Sequence, residues 1–79
     1  MNIDVKLHNV NLKTIRLLQG FSQQKLAVLV GTSRQYISYI ELGMSPSESM
    51  ARRIAEVLEF RKYGLNWTSF YEKEHGEEK

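Results

Sequence analysis

Between Val30 and Arg34 stand only three residues, Gly31, Thr32 and Ser33, and the sequence on both sides of that gap reads as helix. No other feature restricts the fold as tightly. Upstream, Ser22 can cap a helix running through Leu26, Ala27, Leu29 and Val30, because a serine oxygen accepts one of the amides that a helix start leaves unpaired. Gly31 tolerates the positive φ in which such a helix ends. Thr32 and Ser33 are both competent caps for the segment that follows, so two helices joined this closely must cross steeply.

The second of them, "SRQYISYIEL", divides by angle. With Arg34 at 0° and about 100° per residue, Ser38, Leu42, Gln35 and Tyr39 fall at about 40°, 80°, 100° and 140°. Tyr36, Ile40 and Ile37 fall at about 200°, about 240° and about 300°, and Glu41 at about 340° beside Ile37. One face is core and the other is a strip of hydrogen-bonding side chains.

The rest of the chain supplies further helices. "NLKTIRLLQG" has Leu12 and Ile15 on one face, Asn11 as cap and Gly20 as stop. Arg16 lies about 40° from Leu12 on the wheel, so a guanidinium runs along the core side and requires a partner. By the same angles Leu17 falls outside the core, to be covered by the N-terminal arm or a second subunit. "SPSE" reads as the start of a fourth helix, with Ser45 as cap, Pro46 in the first turn and Glu48 closing a capping box. Met50, Ile54, Val57 and Leu58 recur at helical spacing, while Arg52 and Arg53 lie off that face, where solvated charge is the ordinary expectation. A short aromatic fifth helix is expected from about Trp67. The alternation of Ile3, Val5 and Leu7 suggests an extended arm. The expected organisation is an arm over residues 1–10, an all-α five-helix domain over 11–72 and a polar tail over 73–79.

Seventy-nine residues form one core, since a chain of that size buries only roughly 60% of its unfolded surface. Cysteine is absent, which removes disulfides, thiolate metal sites and thiol nucleophiles. No serine lies in a G-x-S-x-G turn, no carboxylate pair is spaced for acid-base work, and His8 and His75 are isolated. An enzyme, a cofactor and a metal are therefore not expected. The longest apolar run, "LAVLV", is far too short to span a bilayer, and the N-terminus has no secretory core; a cytoplasmic location without membrane contact is expected. Net charge is +2, with seven Lys and Arg against four acids in residues 1–58 and four against five thereafter. The basic excess thus lies on the helical part that carries the strip.

A helix, a glycine turn and a second helix form the helix-turn-helix unit, and Gln23 to Glu41 meets its steric demands. Ala27 is small where the axes approach, and Leu26, Val30, Ile37 and Ile40 supply the apolar contact. "IRLLQGFSQQKLAVLVGTSRQYISYIELG" resembles the Cro and phage-repressor-like (XRE) family, whose members follow roughly "LRxxxGxSQxxLAxxxGxSxxxISxxExG" and have a lambda-repressor-like fold. The resemblance spans Leu12 to Leu58, and "NWTSFYE" is similar to the terminal helix of small regulators from phages and mobile elements.

The resemblance implies a DNA-binding transcriptional regulator, expected to be a repressor, acting as a homodimer on a pseudo-palindromic operator in double-stranded DNA. It implies base contacts from Arg34, Gln35, Ser38 and Tyr39, and phosphate contacts from Gln23, Thr32, Ser33 and Ser45. Arg16 and Glu41 match the family's buried ion pair. The side-chain chemistry agrees: Arg can bond both acceptors of guanine and Gln can pair with adenine N6 and N7. Tyr63, Trp67, Phe70 and Tyr71 are expected at the dimer interface, since so small a fold has few other large side chains to bury. One departure stands out, because Met44 and Ser45 follow Gly43 where family members often carry Lys or Arg. Together with the apolar Leu17 and Leu18, it lends weight to an alternative, a protein-interaction module such as an antitoxin or anti-regulator, bound by a regulatory protein partner.

Overall fold

The computed structural model describes residues 10–71. The expected arm, apart from Val10, and the tail lie outside them. Four α-helices follow in order: α1 Leu12–Leu18, α2 Gln23–Val30, α3 Arg34–Glu41 and α4 Glu48–Val57. Two 3₁₀ segments, Phe60–Tyr63 and Trp67–Tyr71, complete the described chain, and no strand occurs among these residues.

Each α-helix starts in the same way. Asn11, Ser22, Ser33 and Ser47 accept hydrogen bonds from the amides of Thr14, Lys25, Tyr36 and Met50 at 3.1, 3.0, 3.1 and 3.3 Å, each satisfying a donor that the first turn cannot. Of the two candidate caps before α3, Ser33 takes the role.

The start of α4 differs from the sequence expectation. Its cap is Ser47, not Ser45, and Glu48 is the first helical residue, so no capping box forms. Tertiary bonds hold the preceding segment out of the helix: Pro46 is buried with its carbonyl accepting from the Tyr71 hydroxyl at 2.6 Å, and the Ser47 amide donates to the Tyr36 hydroxyl at 3.3 Å. The proposed fifth helix is also corrected, to the 3₁₀ segment Trp67–Tyr71. There Asn66 accepts from the Thr68 amide at 2.8 Å and its own amide donates to Ser69 Oγ at 3.1 Å. Local side-chain bonds of this kind compete with a regular α-helical ladder.

The core gathers Val10, Leu12, Ile15, Leu26, Ala27, Val30, Ile37, Ile40, Ala51, Ile54, Leu58, Phe60 and Phe70. α2 packs on both α3 and α4, α1 on α3, and the last 3₁₀ segment on α4. Phe70, expected at the dimer interface, lies in the core of the described chain. It is wholly buried with its ring 5.4 Å from that of Phe60, closing the open end of a core that four short helices leave incomplete.

Candidate nucleic-acid interface

The turn between α2 and α3 fixes how α3 is presented. Gly31 has φ +80° and ψ +41°, its amide donates to Val28 O at 3.3 Å, and the Thr32 amide donates to Ala27 O at 2.9 Å. This left-handed closure reuses carbonyls that the end of α2 would otherwise leave unpaired. Ala27 at the crossing is fully buried, as the close approach of the two axes requires.

Beneath α3 lies a buried ion pair. Arg16 Nε donates to Glu41 Oε2 at 2.5 Å and Arg16 Nη2 to Glu41 Oε1 at 3.3 Å, with both side chains only 7% exposed. The remaining guanidinium direction is used as well, Arg16 Nη1 donating to Phe21 O at 2.8 Å. The charge stranded on the core face of α1 thus finds its partner at the last residue of α3.

From that pair a chain of bonds runs to the surface. Gln23 Nε2 donates to Glu41 Oε1 at 3.0 Å, and Arg34 Nη1 approaches Gln23 Oε1 at 3.5 Å. Arg34, Gln35 and Tyr39 are exposed and Ser38 is half-buried, so the four form one outward strip. Within it Gln35 Nε2 donates to the Tyr39 hydroxyl at 3.0 Å.

Thr32, half-buried, and Ser33, exposed, stand in the turn at the N-terminal end of the strip, beside Gln23. Ser45 is exposed beyond the other end. Two helices joined through a left-handed glycine, the second presenting a polar strip, have the helix-turn-helix arrangement. A family model described as helix-turn-helix matches residues 12–63. The chain belongs to the helix-turn-helix family.

A relative points the same way. The chain is 37% identical over 62 residues to the uncharacterized HTH-type transcriptional regulator YqaF of Bacillus subtilis (strain 168), covering 77% of this chain and 75% of that protein. No solved structure matches the chain. In this helix-turn-helix domain the matched region ends at residue 63, so the Trp67–Tyr71 segment lies outside it and is tied on by its own contacts. Arg52 lies 4.3 Å over the Trp67 ring and pairs with Glu48 at 2.9 Å.

Three structural roles escape sequence reasoning. Arg53 Nη1 donates to Val30 O at 3.1 Å, capping the helix-turn-helix turn from α4. Gln19 Nε2 donates to Leu58 O at 2.7 Å and ties α1 to the end of α4. Arg52, over the Trp67 ring, anchors the last 3₁₀ segment. None of these has a sequence signal, because each depends on residues brought together from different helices. Tyr63 and Tyr71 are exposed and Trp67 is half-buried, which leaves those three of the four expected interface residues at the surface. No helix among the described residues is long and apolar enough to cross a membrane.

Proposed function

We propose that this protein is a sequence-specific DNA-binding regulator of transcription, a repressor that acts as a homodimer with α3 in the major groove. The observation that carries the reading is the outward strip Arg34, Gln35, Ser38 and Tyr39 on a helix whose last residue is clamped from below by Arg16. A strip that discriminates bases must be held in a fixed register, and a buried bidentate ion pair contributes orientation more than net stability. Membership of the helix-turn-helix family and the similarity to YqaF, an HTH-type transcriptional regulator by name, support the same reading.

In this reading Arg34, Gln35, Ser38 and Tyr39 meet base edges, while Gln23, Thr32, Ser33 and Ser45 meet phosphates. One recognition helix covers only a few base pairs, so affinity requires a second one about 34 Å away on the same face of the duplex. Tyr63, Trp67 and Tyr71 are the proposed subunit surface. Occupation of a promoter by such a dimer blocks transcription.

Enrichment of random duplexes by the purified protein tests the proposal. The expected result is a two-fold symmetric sequence with half-sites one helical turn apart. A second reading, binding of a regulatory protein, is favoured by one observation: Leu17 and Leu18, adjacent on α1, are 57% and 65% exposed. Failure to enrich any sequence at low salt would turn the assignment to that reading.

A further inference from the structure

The hydrogen bond inside the strip bears on which base it reads. Gln35 and Tyr39 are one helical turn apart, and Gln35 Nε2 donates to the Tyr39 hydroxyl at 3.0 Å. A glutamine amide has two N–H donors and one carbonyl acceptor. With one N–H committed to Tyr39, it turns outward with one donor and one acceptor. The phenol, accepting from Gln35, keeps its own hydrogen for another acceptor. The groove edge and the flanking phosphates are rich in acceptors. The reversed amide would take the phenol hydrogen and leave the phenol oxygen facing those acceptors, so DNA favours the orientation already present in the free protein.

We infer that Tyr39 is a positioning residue for base discrimination: by holding one amide hydrogen of Gln35, it makes Gln35 select adenine and reject guanine. Adenine offers N7 as acceptor and N6 as donor, the complement of one donor and one acceptor. Guanine offers two acceptors, N7 and O6. A free glutamine can turn both amide hydrogens toward guanine; one held by Tyr39 cannot, and its carbonyl oxygen faces O6. The inference rests on the DNA-binding reading above and deepens it, giving Tyr39 a role exerted through Gln35.

The test uses the enriched duplex. The base pair at which Gln35→Ala loses preference is located first, and A, G, C and T are then placed there. Dissociation constants are measured for the wild type, Tyr39→Phe, Gln35→Ala and the double variant. Tyr39→Phe keeps the ring and removes only the hydroxyl of an exposed side chain, so its melting temperature should match the wild type. The expected result is a preference for adenine over guanine that Tyr39→Phe reduces about tenfold at that base pair. In the Gln35→Ala background the same change should leave the ratio unmoved, the signature of action through a neighbour. An adenine-to-guanine ratio left unchanged by Tyr39→Phe at that base pair would overturn the inference, whether or not loss of the hydroxyl's own contact also weakens binding to all four duplexes or relaxes a second base pair. If Gln35→Ala relaxes no base pair, it fails too. A wild type that enriches no sequence overturns the DNA-binding reading itself and the inference with it, whereas a selective wild type with an unaltered Tyr39→Phe ratio overturns the inference alone.

Discussion

At Gly31 a methyl group would stand 3.2 Å from Arg53 Nη1 on a backbone at φ +80°. Gly31→Ala therefore combines left-handed strain with displacement of the arginine that caps Val30. Glu59 is the opposite case, a non-glycine residue at φ +56° just beyond α4. Since the left-handed region costs an L-residue roughly 1–2 kcal/mol, Gly31→Ala is expected to destabilise by about that amount. Glu59→Gly should stabilise by about 0.5–1 kcal/mol, the glycine's extra unfolded entropy offsetting part of the relief. Urea unfolding of the two variants, with opposite shifts in midpoint, is the check. Gly31 is legible in the sequence because glycine before two capping residues has few other readings. Arg53 is not, because a charge off the core face of a helix looks the same in sequence whether it is solvated or reaches across to another helix's carbonyl.

The elements of the unit are joined by charge as well as by packing. Removing one partner of a buried pair leaves the other charge uncompensated, which costs about 3–5 kcal/mol; Arg16→Met or Glu41→Leu alone should approach that loss in thermal unfolding. The double change should recover most of the stability yet still weaken sequence discrimination, since Gln23 loses the carboxylate to which it donates. A double variant as unstable as the singles would show that shape, not charge, holds α1 to α3.

The last 3₁₀ segment has its own signature. Burial first, and then neighbouring Tyr36 and Glu48, push the Tyr71 hydroxyl above its ordinary 10.0. A group that binds its proton more tightly when folded contributes stability that is complete below the unfolded value and lost as pH rises through the folded one. Stability should therefore fall above about pH 10, and Tyr71→Phe should show less of that fall, as melting temperatures across the alkaline range would reveal. These elements were only partly legible. Local caps gave α1, α2 and α3 at their observed starts, whereas the start of α4 depends on Tyr36 and Tyr71 bonding to Ser47 and Pro46, and the 3₁₀ form of the last segment on the bonds of Asn66 with Thr68 and Ser69. A periodicity argument carries no information about those contacts. The burial of Phe70 was not legible for a related reason: an aromatic face on a short segment points inward or outward according to what the rest of the core lacks.

Across the whole molecule, the proposed phosphate contacts Gln23, Thr32, Ser33 and Ser45 are neutral side chains, and exposed Met44 follows Gly43. Few neutralised phosphates mean a shallow dependence of affinity on salt. Met44→Lys should raise affinity at low salt and steepen the slope of log K against log[salt] by about 0.9 per subunit. Titrations between about 50 and 200 mM salt, the span over which phosphate-driven binding changes most informatively, measure this. An unchanged slope would place the segment after α3 away from the DNA backbone.

The most direct measurement is a fluorescence-anisotropy comparison of the enriched duplex with a scrambled one, for the wild type and for a variant carrying Arg34→Ala and Gln35→Ala. The expected result is a wild-type preference of about 10³ or more that collapses in the variant while its weak binding to scrambled DNA persists. A preference that survives loss of both side chains would mean that α3 does not read the sequence, and equal wild-type affinity for both duplexes would mean that nothing in the chain does.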